Sequence, residues 1–94
     1  MRHKADYVWA VSTLIEVEMP HMSTGSTEPR ELFVAVNEQL GLGLPSGGTK
    51  PELARGIVES AGEVWLPTYE SSGSTITLNG LKAVHAAVEF FTAT

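Results

Sequence analysis

Apolar positions recur at helical spacing in four stretches of the chain, and turn-forming residues separate them. In the first stretch, Asp6 to Glu18, Tyr7, Val8, Val11, Leu14, Ile15 and Val17 form one stripe, with Ser12, Thr13 and Glu16 on the other side. Pro20 ends it, and Met22 to Thr27 read as a polar loop. The second helix starts with Thr27 as N-cap, Pro29 in its first turn, and Glu28 and Glu31 at the positive end of its dipole. Leu32, Phe33, Val36 and Leu40 make its buried stripe, and Gly41 or Gly43 supplies the positive φ that stops it.

Residues 41 to 48, Gly-Leu-Gly-Leu-Pro-Ser-Gly-Gly, are too rich in glycine for a helix and carry two leucines, which predicts an extended loop anchored by Leu42 and Leu44. Thr49 with Glu52 three residues on is a capping box, with Pro51 in the first turn, so a third helix runs from there to about Ser60. It buries Leu53, Ala54, Ile57, Val58 and Ala61, leaves Lys50, Arg55 and Glu59 towards solvent, and stops at Gly62. Val64–Leu66 and Thr75–Thr77 are short and β-prone, and the Ser/Gly-rich stretch between them suggests a small hairpin. A fourth helix begins at Thr77 or Asn79 as cap and places Leu81, Val84, His85, Val88 and Phe91 on one face. The predicted fold class is mainly α (α+β), four helices with a small β-hairpin, in one domain spanning residues 1–94. The uncharged end at Phe90 to Thr94 reads as that of a piece cut from a longer polypeptide.

Composition narrows the chemistry. With 43% hydrophobic and 18% charged residues the chain has the makings of a folded domain, and it contains no cysteine, which removes disulfides, thiolate metal sites and a cysteine nucleophile together. No apolar run approaches the ~20 residues that cross a bilayer. The start, Arg2-His3-Lys4 followed by Asp6, does not read as a signal peptide, so a cytoplasmic location is the expectation. His3, His21 and His85 have no partner at metal-ligand spacing, and no cofactor loop is expected. Gly43 and Gly48 have the spacing of a P-loop, but Thr49 precedes Lys50 and no strand leads into the loop. No serine lies in a nucleophile elbow; of the candidate acid/base pairs, Glu16 and Glu18 do not share a helix face, and Glu28 and Glu31 are explained by complementing a helix dipole. The chain is not expected to be an enzyme on its own.

The segment from Glu28 to Val58 carries a resemblance. Pro-Arg-Glu-Leu-Phe, then Leu42 to Gly47 as Leu-Gly-Leu-Pro-Ser-Gly, then Thr49-Lys50-Pro51-Glu52-Leu53, resembles the helix, extended loop, helix pattern of SAP domains over about a third of the chain. That likeness implies a SAP-like core binding double-stranded DNA. The second helix of such motifs is richer in cations than this one, where Lys50 and Arg55 face Glu52 and Glu59. The order of SAP-like helices, Val64-Trp65, a Ser/Gly loop, Thr75–Thr77 and a last helix also looks like the accessory domains at the front of actinobacterial HNH restriction endonucleases of the McrA type. On that likeness, cleavage would belong to other domains of the same polypeptide.

The physical reading of the loop is independent of the likeness. Amides of Gly47, Gly48, Thr49 and Lys50 open a helix, where N–H groups lack partners and the dipole favours an anion such as a DNA phosphate. Lys50 adds a charge, Arg55 reaches a second phosphate or a guanine edge, and Tyr69 on the Ser/Gly loop is the aromatic that could stack on a base. The plainer reading is that Thr49 and Glu52 already satisfy the amides, that Lys50 is merely solvated, and that Tyr69 packs on the domain edge. Trp65 reads as a core anchor, and Arg2 and Lys4 either as a DNA-reaching arm or as a frayed terminus. The alternative fold is a winged helix, with the third helix as recognition helix. The alternative function is a protein-interaction or dimerisation domain, favoured by the net charge of −5 and by Met19, Met22, Phe90 and Phe91.

Overall fold

The computed structural model describes residues 3–20, 22, 26–72 and 74–93, and its helix boundaries follow the local capping signals at some ends and depart from them at others. Helix α1 (Lys4–Leu14) stops three residues before its apolar stripe does. Glu16 there takes a left-handed φ of 57°, the Val17 N–H donates to Ser12 O (3.0 Å) and the Glu16 N–H to Thr13 O (3.2 Å). This is a Schellman stop, built on a glutamate where glycine is usual. Of the loop expected at 22–27, residues 23–25 lie outside the described residues, as do Arg2 and His21.

Helix α2 (Arg30–Leu40) starts later than its sequence suggests: Pro29 is its N-cap, Thr27 caps nothing, and Glu28 precedes the helix instead of sitting in its first turn. Gly41 ends it at φ 63°. The loop that follows is held from both sides. Asn37 donates Nδ2–H to Leu44 O (2.8 Å) and accepts the Leu44 N–H (2.9 Å), while Arg30 donates Nε–H to Gly48 O (2.9 Å) and Nη2–H to Ser46 O. Helix α3 (Lys50–Ser60) has the predicted Thr49 cap, the reciprocal Glu52 contact and Pro51 in the first turn. Leu53, Ala54, Ile57 and Val58 are buried, and Ala61, expected among them, is half-buried.

The hairpin is shifted from the expected one. Val64–Leu66 form no strand; instead Trp65 turns inward and donates Nε1–H to Glu70 (2.7 Å), and Pro67–Tyr69 make a 3-10 turn. The strands are β1 (Glu70–Ser71) and β2 (Thr75–Ile76), antiparallel, with Glu70 opposite Ile76. Helix α4 (Leu78–Thr92) starts at Thr77, whose hydroxyl accepts the Gly80 N–H (3.2 Å). The architecture is therefore mainly helical, four helices with a two-stranded hairpin among the described residues. Helix α4 packs on both α1 and α3, α2 packs on α3, and Val11, Leu32, Phe33, Ile57, Ile76, Leu81 and Val88 close the core between them.

A single carboxylate ties these pieces together. Glu28 is only 2% exposed, and a buried charge is tolerated only when paired. Its Oε1 accepts the Ile76 N–H of β2 (2.7 Å), its Oε2 accepts from Lys4 Nζ of α1 (3.1 Å), and Lys50 Nζ of α3 stands 3.6 Å from Oε1 while donating to the Glu28 carbonyl (3.2 Å). Three segments far from Glu28 in sequence thus converge on its side chain.

Candidate functional site

Two surfaces deserve the description of a site: the start of α3, where the sequence places an anion seat, and a groove at the other end of that helix. At the first, Gly47 is exposed with open space above its Cα, and Gly48 is half-buried. The amides are partly spoken for. The Gly48 N–H donates to Pro45 O (3.3 Å), and the Thr49 N–H points at Glu52 Oε1 (3.5 Å), which also accepts from the Thr49 hydroxyl (3.0 Å). A carboxylate of the chain itself therefore occupies the mouth of the helix, as a capping box requires.

The expected cations are also engaged. Lys50, expected towards solvent, has a side chain only 18% exposed because the buried Glu28 needs its charge. Lys4, read as part of a loose arm, is in α1 and bound to the same carboxylate. Arg55 is exposed as expected, with Nε 3.1 Å from Glu59 Oε2 one turn on, and Arg30 is bound to loop carbonyls. Among the described residues, Lys82 of α4 is the cation without a hydrogen bond or ion pair. Tyr69 does not join this cluster. It lies with the C-terminal residues of α3, its ring edge-on to Trp65 at 5.1 Å between centroids. Trp65 is buried, as expected of a core anchor, whereas Trp9 on α1 is 70% exposed.

The second surface is a groove of about 420 Å³ between the end of α3, the segment 63–64 and α4. Val58 and Ala61 form one side, Ala83, Ala86 and Ala87 the other, and Val64, Tyr69 and Phe90 rise around them, with Glu63 at the rim. The α4 residues facing it are alanines, whose small side chains leave the hollow open. Two of its walls are large apolar side chains left in water, Val64 at 72% and Phe90 at 64% exposure. Phe90 leans edge-on against Phe91 at 5.5 Å, which holds the ring upright. Sequence reading had marked Phe90 as an apolar residue near the end, but it missed Val64 and the three alanines. The signal was there: Ala83, Ala86, Ala87 and Phe90 share a helix face different from that of Leu81, Val84 and Val88.

His85 is half-buried between the Tyr7 ring (5.7 Å) and Glu89 (Nδ1 to Oε1 3.4 Å), a packed edge as expected. The described residues hold no cluster of three or more metal-ligating side chains, and none of their helices is long and apolar enough to cross a membrane. No family model, no curated protein and no solved structure matches this chain.

Proposed function

We propose that this chain is a protein-interaction domain that docks an apolar protein segment in the groove between α3 and α4. The observation that carries this reading is the pairing of Val64 and Phe90, both mostly in water, around an alanine floor. Large apolar side chains gathered at one concave place are what interaction sites present. The charge distribution points the same way. Lys4, Lys50, Arg30 and Arg55 already serve the fold or a neighbouring glutamate, which leaves little of the cationic surface that phosphate binding draws on. Selection of displayed peptides on the immobilised chain tests the proposal. Peptides recovered should be apolar, should lose at least about tenfold in affinity against Ala86→Arg, which fills the groove, and should bind almost equally at low and high salt. Failure to recover any peptide sensitive to Ala86→Arg would remove the groove from consideration.

A second reading, a DNA-binding accessory module gripping the duplex backbone, has in its favour the exposed Ser46–Gly47 turn with open space above Gly47 and the exposed Arg55 on α3, the helix that follows. It requires affinity for a short duplex that falls steeply between 50 and 200 mM salt, on the order of tenfold for a few phosphate contacts, and that weakens with Arg55→Glu.

A further inference from the structure

We infer that the occupant of this surface is a second copy of the chain, with α4 packed antiparallel on its counterpart about a twofold axis near Ala86; this rests on the docking reading above. The argument is charge complementarity. Lys82, Ala86, Glu89 and Phe90 are the exposed residues of α4 around its middle. At about 3.6 residues per turn, Phe90 and Ala83 lie on the flank that borders the groove, and Lys82 and Glu89 lie together on the opposite flank. Lys82 has no partner among the described residues, and the Glu89 side chain is 59% exposed, held only by His85 at 3.4 Å. Seven residues apart, about 10 Å along the helix, the two cannot satisfy each other within one chain.

A twofold axis perpendicular to the plane of two antiparallel helices brings like flank to like flank. With Ala86 at the axis, residue 82 lies level with residue 90 of the other copy, so Lys82 is one residue, about 1.5 Å of rise, from Glu89 of the second copy. The pair forms twice. On the other flank, Phe90 of each copy comes level with Lys82 and Ala83 of the other and enters the groove beside Ala83 and Ala86, against Val64. Each surface then provides one ring that protrudes and one hollow that receives, the self-complementarity an isologous interface demands. A parallel pairing would set opposite flanks against each other and leave Lys82 without its glutamate.

Charge reversal distinguishes this geometry from any other. Sedimentation equilibrium over a concentration series should show wild type in monomer–dimer exchange, and Lys82→Glu or Glu89→Lys alone should weaken dimerisation about tenfold, since each turns two attractive contacts into repulsive ones. Mixing the two variants should restore association as a heterodimer, because one chain then carries two anions on that flank and the other two cations. Circular dichroism should show both variants folded, both positions being exposed. The inference is overturned if wild type stays monomeric up to about 1 mM, if either variant dimerises as wild type does, or if the mixture associates no better than its components. Monomeric wild type that still binds peptides lost on Ala86→Arg would overturn the dimer and leave the docking reading standing; no association of either kind would end both.

Discussion

Replacing Glu28 by alanine should cost this domain about 3 kcal/mol, and the figure can be assembled from the contacts of the side chain. The Ile76 residue is fully buried, and its N–H, which donates to Oε1 at 2.7 Å, would lose its acceptor. An unsatisfied buried donor costs about 1–3 kcal/mol. Breaking a buried ion pair costs about 3–5 kcal/mol when the remaining charge is trapped, but Lys4 and Lys50 keep 27% and 18% of their side-chain exposure and can turn to water. Their share is therefore the smaller one, about 1 kcal/mol. For a domain of 94 residues the sum corresponds to a fall in Tm of about 12–24 °C. Glu28→Gln retains an oxygen for the Ile76 amide but loses the charge and the oxygen that accepts from Lys4, so it should cost about 1–2 kcal/mol. Urea titrations followed by circular dichroism, with the m-value checked for constancy, give the three numbers. Alanine within about 0.5 kcal/mol of wild type, or glutamine as damaging as alanine, would refute the reasoning.

Gly80→Ala should destabilise by about 2 kcal/mol, although alanine is the better helix former by about 1 kcal/mol, because a Cβ there would stand 2.6 Å from the Tyr69 carbonyl and 2.5 Å from Ile76 Cγ2; thermal denaturation reads the sign directly. Glu16→Gly should do the opposite and raise stability by about 0.5–1 kcal/mol in chemical denaturation, since it relieves a left-handed φ of 57° that glycine adopts freely. Lys50→Glu should lower stability by about 2–3 kcal/mol by placing a second carboxylate against Glu28, whereas Arg55→Glu, at an exposed i,i+4 pair, should cost under about 1 kcal/mol. Equal stabilities for the two variants would contradict the buried node, and only Arg55→Glu tests nucleic-acid binding without disturbing the fold.

Where structure is decided locally, the sequence was sufficient. The Thr49–Glu52 box and Pro51 placed the start of α3, Gly41 or Gly43 bracketed the end of α2, which Gly41 makes, and the apolar periods placed the buried faces of the helices, except that Ser12 of α1, read as polar face, is buried. The errors lie where a backbone turn or a distant contact overrides the periodic pattern. Apolar periodicity carries α1 on to Glu18, but the backbone turns at Glu16, a residue with no intrinsic taste for that conformation. Val64–Leu66 have the composition of a strand, yet the strand register begins at Glu70, the residue whose carboxylate receives Trp65 Nε1–H and whose backbone stands opposite Ile76. β-propensity describes fit to a half-buried pleated surface, and Val64 has none to fit.

The same distinction explains why the candidate site moved from one end of α3 to the other. A count of cations along the chain treats Lys4, Lys50 and Arg30 as available charge, and it treats Glu28 as decoration of a helix start. In three dimensions Glu28 is the buried group, and because an ionised carboxylate cannot stay there alone, it draws in Lys4 and Lys50 from two other helices. No local pattern announces this, since the partners lie 24 and 22 residues away in sequence. Burial of one acid thus removes two cations from the surface, and the loop carbonyls remove a third in Arg30. The surface left over is acidic with an apolar hollow, and on such a surface the unpaired Lys82 of α4 becomes informative: a cation one turn from exposed Ala86, on the flank across from Phe90, is best matched by a partner that offers a carboxylate on one flank and an aromatic ring on the other, as α4 itself does.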